Sequence, residues 1–289
     1  MTFKELHIKT TSNTADEIAN ILLEFGAKAI TFNDSGNKPI LEPSKDSSEL
    51  WPETKTIGLF DRDFNLAPIL NQLNYLDIKV IDVPNKDWVR HSLDSFKPMK
   101  FGNKLWVSPS WDPNLTSEGI NITLDPGLAF GTGSHATTAL CLEWLEQSSL
   151  KNIRVIDYGC GSGILGIAAI KLGAKHVFAV DNDPEALNVT KDNFLKNNIK
   201  QSSFSTYLPE ELPIIKADLV IANILFQPLV NLAKKLSNST KAGGNILLSG
   251  ILIDQTHDIN IAYKDWYSMQ KPILKEEWAS LTGIRTNNI

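Results

Sequence analysis

The period of apolar positions changes repeatedly along residues 1–85, and each change predicts an element. At 6–10, Leu6 and Ile8 alternate with His7 and Lys9, which predicts a strand covered on one face. Thr14-Ala15-Asp16-Glu17 has the form of a capping box. Beyond it Ile18, Ile21, Leu22 and Phe25 recur at helical spacing, with Gly26 as the stop. A strand is predicted at 28–33, then a polar loop over 33–54 carrying Gly36, Pro39, Pro43 and Pro52. A strand at 56–60, a helix at 65–75 (Leu66, Ile69, Leu70, Leu73) and a strand at 78–83 complete the series. The order β-α-β-β-α-β is that of a ferredoxin-like split unit, so 1–85 is predicted to be a small N-terminal ferredoxin-like α/β domain. Its acids are scattered and show no catalytic or metal-binding spacing.

Residues 86–111 read as a connector or hinge. A short helix over 87–96 would carry Trp88, His91, Leu93 and Phe96, and a strand is predicted at 104–108. Trp88, Trp106 and Trp111 are taken mainly as packing between the two halves.

From 112 to 289 the apolar runs become those of a sheet buried on both faces. The run 154–158 is apolar apart from Arg154 and Asp157 and leads into Gly159-Cys160-Gly161-Ser162-Gly163. A helix is predicted over 164–172, ended by Gly173, and then a strand over 176–180 with Asp181 at its tip. This is a βαβ unit suited to adenosine, with the acid placed for the ribose hydroxyls. Two cofactors fit it. Gly161-x-Gly163-x-x-Gly166 matches the dinucleotide fingerprint. Asp157-x-Gly159-x-Gly161-x-Gly163 matches the first motif of S-adenosylmethionine methyltransferases, in which the opening acid faces the cofactor's amino-acid end.

The flanking segments discriminate further. A strand at 120–124 leads into a second glycine-rich loop, Asp125 to Thr138, which lacks the Gly-Lys-Ser/Thr of a phosphate loop. It opens a helix over 135–146 and is expected to lie over the first loop. His135 at that helix start reads as a local hydrogen-bonder rather than a base. Asp183-Pro184 is an N-cap and first-turn proline, which leaves Asp181 for the ribose. Strands are predicted at 201–207 and 217–222. The second ends at Asn223, at the carboxyl end of a strand where open α/β sheets bind ligands. A helix from Pro228, a turn at Gly243-Gly244 into a strand at 245–249, and a helix over 254–263 follow. A closing pair of strands at 269–274 and 278–284 fits a seven-stranded methyltransferase sheet better than a six-stranded dinucleotide domain.

Composition narrows the setting. Apolar residues make up 42% and charged residues 21%, as in ordinary globular chains. No apolar run approaches the ~20 residues of a membrane span. Met1-Thr2-Phe3-Lys4-Glu5 is unlike a signal peptide, and Cys141 and Cys160 suggest neither a disulfide framework nor a zinc site, so a cytoplasmic protein is expected. The net charge of −5 is uneven: 1–85 hold eight Lys/Arg against thirteen Asp/Glu, and the remainder holds twenty of each. That disfavours a nucleic-acid partner for the N-terminal part and is compatible with a basic protein partner.

Several stretches together resemble the bacterial methyltransferases of large-subunit ribosomal protein eleven, the PrmA family. They are Asn85-Lys86-Asp87-Trp88, Phe101-Gly102-x-x-Leu105-Trp106, Leu124 to Gly133, Val155 to Gly163, Ala222-Asn223-Ile224-Leu225 and Lys275-Glu276-Glu277-Trp278. The resemblance implies a Rossmann-like class I methyltransferase domain over 112–289, with 1–85 recognising substrate. It implies S-adenosylmethionine contacts at Thr138, Gly159, Asp181 and Asn223. It also implies methyl transfer, up to the trimethyl state, to lysine ε-amines and the N-terminal α-amine of the ribosomal protein. Asn223 is the residue assigned to catalysis, by accepting a hydrogen bond from the amine. No general base, metal, membrane or direct nucleic-acid contact is expected, and the chain is expected to be a monomer. Related amine methyltransferases often end the fourth strand Asn/Asp-Pro-Pro-aromatic; Asn223-Ile224-Leu225-Phe226 lacks the prolines, which disfavours a planar nitrogen substrate. A nicotinamide oxidoreductase would need a hydride-transfer partner that is not in register, and a non-enzymatic adaptor would not need the cofactor set.

Overall fold

The computed structural model describes residues 3–36, 50–83, 97–112, 119–125 and 133–286. The chain divides into two compact units, Met1–His91 and Ser92–Ile289. The expected helix at 87–96, with Trp88, lies outside the described residues, as do 37–49 of the polar loop and 126–132 of the second glycine-rich loop.

In the first unit the elements run β1 (Phe3–Thr11), α1 (Ala15–Glu24), β2 (Ala29–Asp34), β3 (Glu53–Asp61), α2 (Ala67–Gln72) and β4 (Ile78–Val83). The strands pair antiparallel in the order β2-β3-β1-β4, the arrangement of a split βαβ unit. Leu6 and Ile8 of β1 pack with Ile18 and Leu22 of α1, Phe60 of β3, and Leu66, Ile69 and Leu73 around α2. The capping box expected at Thr14 does not form. Thr14 has helical rather than extended backbone angles, and its Oγ1 accepts from Thr11 N at 3.0 Å, so the hydroxyl is used by the turn leaving β1.

The second unit opens with a three-stranded sheet of β5 (Met99–Phe101), β6 (Leu105–Ser108) and β7 (Ile120–Thr123). Residues 99–108 of the expected connector thus pair with one another and with β7. Lys100 Nζ stands 5.5 Å from the centre of the Trp106 ring, whereas Trp111 is exposed.

The large sheet contains β8 (Arg154–Tyr158), β9 (His176–Val180), β10 (Phe204–Tyr207), β11 (Ala217–Asn223), β12 (Thr240–Leu252), β13 (Tyr267–Met269), β14 (Ile273–Lys275) and β15 (Trp278–Arg285). Its order is β10-β9-β8-β11-β12-β15-β13, with β14 also on β15. The first five strands are parallel and β15 is antiparallel to β12. The helices are α3 (Ala136–Gln147), α4 (Ile164–Lys171), α5 (Pro184–Lys196), α6 (Phe226–Asn238) and α7 (Thr256–Tyr263). Alternate side chains of each strand enter different cores: Val155, Leu219 and Leu247 join one, Ile156, Val220 and Ile246 the other.

Two expectations near the end of the chain are revised. The strand predicted at 269–274 is two strands, because Met269 pairs with Gly283 and Ile273 with Ser280, which leaves one extra residue beside Pro272. Gly243-Gly244 does not turn between elements. It lies in a bulge of β12, where the partner of β11 jumps from Thr240 at Ala217 to Asn245 at Leu219.

Candidate functional site

The parallel order brings the carboxyl ends of β9, β8, β11 and β12 side by side, and the glycine turn leaves β8 in their midst. Gly159 N and Cys160 N both donate to Val180 O, at 2.7 and 3.0 Å, which ties the turn to the end of β9. Gly159, Gly161 and Gly163 all have positive φ, and Gly163 N closes the turn onto Cys160 O at 2.7 Å. Asp157 is buried, and its Oδ2 accepts from Gly166 N in the first turn of α4 at 2.9 Å. Burial pushes its carboxyl up to about 7, against the Gly166 hydrogen bond and with a further contribution from the Asp181 charge.

Asp181, at the tip of β9, accepts from Gly161 N through Oδ2 at 2.9 Å and from Asp183 N through Oδ1 at 3.1 Å. Asp183 caps α5 by accepting from Glu185 N at 2.9 Å, with Pro184 next in the helix. Asp183 is thus the cap that its place before Pro184 predicts.

The buried face of α5 holds the loops from behind. Thr190 Oγ1 donates to Gly161 O at 2.8 Å and Asn193 Nδ2 to Ser162 O at 2.9 Å. One turn on, Asn197 bonds the backbone of Thr123 twice, Oδ1 accepting from its N at 2.8 Å and Nδ2 donating to its O at 2.7 Å. Lys196 pairs with Asp125, which also accepts from Ser110 N and Oγ. Partial burial opposes ionisation of Asp125, but the Lys196 ammonium and the Ser110 donors outweigh it and hold the carboxyl below its usual range. The base of the second loop is therefore anchored to the helix that clamps the first. Thr190 and Asn193 on one face of α5, with Asn197 at its C-cap, were the available signal.

On the other side of the turn, Asn223 ends β11 and its Nδ2 donates to Oγ1 of the buried Thr138, at 3.3 Å, in the first turn of α3. His135 caps α3: Nδ1 accepts from Thr137 N at 3.4 Å and lies 2.8 Å from Thr137 Oγ1. Its ring meets that of Trp278 edge-on at 4.8 Å. Of the four residues expected at the cofactor, Thr138 and Asn223 touch, Asp181 is bonded to the turn that Gly159 opens, and Gly159 packs on Ile224, the neighbour of Asn223. Among the described residues no group of three or more His, Cys, Asp or Glu could hold a metal ion, and no helix is long and apolar enough to cross a membrane.

Comparison with known proteins converges on one family. Residues 2–286 match the family profile of ribosomal protein L11 methyltransferase (PrmA). The chain is 44% identical, over a 295-residue alignment covering 99% of both chains, to a ribosomal protein L11 methyltransferase of Marinobacter nauticus. A protein of the same name from Shewanella denitrificans is also 44% identical, over 99% of this chain and 100% of its own. The crystal structure of a ribosomal protein L11 methylase from Lactobacillus delbrueckii subsp. bulgaricus aligns with a TM-score of 0.61 and 31% identity, over 66% of this chain and 100% of that one.

Proposed function

The chain belongs to the ribosomal protein L11 methyltransferase family, and on that premise we propose that it moves methyl groups from S-adenosylmethionine to amines of ribosomal protein L11. The acceptors are lysine ε-amines and the N-terminal α-amine, carried to the trimethyl state. The observation that carries the reading is the meeting of Asp181, the Gly159 turn and the Asn223–Thr138 pair at adjoining strand ends.

These groups suit the cofactor. Asp181 offers a carboxylate to a ribose diol, and the turn lets a ligand approach backbone that carries no side chain. Thr138 would face the methionine end. Bound there, S-adenosylmethionine supplies an electrophilic methyl on a sulfonium. The family membership decides against the nicotinamide reading of the same glycine spacing.

The chain's own part is to orient a free amine and exclude water. A lysine of ordinary pKa ~10.4 needs about 4 kcal/mol to lose its proton at pH ~7.4. A weakly polar pocket lowers that cost by disfavouring the ammonium. With Nδ2 of Asn223 donating to Thr138, Oδ1 is the atom suited to accept from the amine and aim its lone pair. The ammonium gives up its proton to solvent before the amine is enclosed, with no side chain assigned as general base. In this reading residues 1–85 recognise the ribosomal protein and the second unit, in which 99–108 are paired strands and not part of a hinge, carries out transfer, in a cytoplasmic monomer without nucleic-acid contact.

Incubating the purified chain with ribosomal protein L11 and S-adenosylmethionine, followed by intact-mass and peptide mass spectrometry, tests this. Successive methyl increments on lysines and the N-terminus are expected. Binding of the cofactor without any methyl reaching L11 would overturn the substrate assignment.

A further inference from the structure

Ile224 lies where three neighbouring strand ends converge. It follows Asn223 at the end of β11, and its N donates to Ser249 O of β12 at 3.2 Å. Toward β8, a Cβ built on Gly159 would stand 2.2 Å from Ile224 Cγ2, so that methyl fills the volume a side chain at 159 would take. Toward β12, a Cβ on Gly250 would stand 2.4 Å from Ile224 O and 2.8 Å from Ile224 C. Both glycines have left-handed φ, +78° and +86°. The two sides of Ile224 are therefore seated against backbone from which side chains are excluded.

The contact joins the two halves of the site. Gly159 opens the cofactor turn, and Asn223 is covalently next to Ile224. A β-branched residue has a stiff χ1, so Cγ2 is a rigid spacer and not a mobile filler. We propose that Ile224 is a positioning residue whose Cγ2 methyl, seated on Gly159, sets the separation between the glycine turn and Asn223. The loop that holds the methyl donor and the amide that aims the amine then keep one fixed spacing. The inference rests on the role given above to Asn223.

The experiment uses the full-length chain with Ile224→Val, Ile224→Leu and Ile224→Ala. Affinity for S-adenosylhomocysteine is measured by calorimetry, and kcat and KM are measured with L11. Valine keeps a γ methyl on Cβ and should stay within about two-fold of wild type in all three. Leucine moves the branch outward and alanine removes it. Both should lower kcat by on the order of 10- to 100-fold, the penalty of misplacing reactive groups, and weaken S-adenosylhomocysteine binding, with KM for L11 nearly unchanged. Gly159→Ala should bind S-adenosylhomocysteine less well than Gly159→Ala combined with Ile224→Ala, because the second change vacates the space the first one needs. Equal behaviour of the valine and leucine variants, a loss confined to thermal stability, or no relief in the double variant would overturn the proposal. If wild type itself leaves L11 unmethylated, the substrate reading has failed, while the binding series still decides the role of Ile224.

Discussion

Asp181 and Asp183 stand two residues apart and bond to different parts of the chain. Asp183 serves the N-terminus of α5, so Asp183→Ala should cost about 1 kcal/mol of stability and leave cofactor affinity close to wild type. Asp181 is bonded to the glycine turn and is the acid proposed for the ribose, so Asp181→Ala should weaken S-adenosylhomocysteine binding by roughly 2–3 kcal/mol. Calorimetry and thermal melts on both variants check the division; a reversed pair of effects would reassign the acids. Asp157 makes a third, pH-dependent case. Its carboxyl is raised from an ordinary 3.8 to about 7, chiefly by burial. Between those values the folded chain keeps a proton that the unfolded chain has released. The resulting stabilisation is complete below the lower value and is lost as pH rises through the upper one. Asp157→Asn lacks this titration while keeping an acceptor for Gly166 N. Its Tm should therefore fall less than that of wild type between pH about 5 and about 7.5. Parallel Tm-against-pH curves would show that Asp157 titrates normally.

Helix α5 shows at the scale of an element what a sequence conceals. Its start is legible, because Asp183 and Pro184 act on their own helix within two residues. The strands at 78–83, 154–158 and 176–180 were equally plain, since their apolar runs end at turn residues. The partners of Thr190 and Asn193 lie near 161 and those of Asn197 at 123, and nothing in a local pattern names a partner so distant. The same limit explains the hydroxyl of Thr14, which a turn takes before the helix can, and the extra residue that divides the strand expected at 269–274. It also explains β5, whose three residues are too few to show an alternation. Likewise Asp181, Asn223 and the glycine turn were readable as strand-end chemistry, while the contact of Asn223 with Thr138, 85 residues away, required the fold. The clamp itself is testable. Thr190 is fully buried, and Thr190→Val keeps its shape while leaving Gly161 O without that donor. The change should cost about 1–3 kcal/mol of stability and weaken S-adenosylhomocysteine binding, with recovery in Thr190→Ser. Unaltered binding in the valine variant would mean that the turn keeps its shape without α5.

For the whole molecule, the division into Met1–His91 and Ser92–Ile289 and the uneven charge bear on the same question. The acid excess of the chain lies entirely in residues 1–85, while every residue assigned to the cofactor lies beyond 137. If the first unit only recognises the protein substrate, a chain lacking it should bind the cofactor and fail to methylate L11. Met99–Phe101 is paired in the sheet of the second unit, so the shortened chain should begin at Lys97, which leaves that strand whole. Its affinity for S-adenosylhomocysteine should stay within about two-fold of full length, since every residue assigned to the cofactor belongs to the second unit. Presenting several amines to one methyl donor would further require the first unit to move relative to the second, as linkers between domains commonly permit. Acidic surface attracts a basic partner over roughly 10 Å at an ionic strength of ~0.1 M, and added salt shortens that reach. Association of the full-length chain with L11 should therefore slow as salt rises, mostly through the on-rate. The two halves of the prediction fail separately. Full methylation of L11 by the shortened chain would remove the recognition role from residues 1–85, whereas an association rate independent of salt would remove only the electrostatic contribution and leave that role to shape and hydrogen bonding.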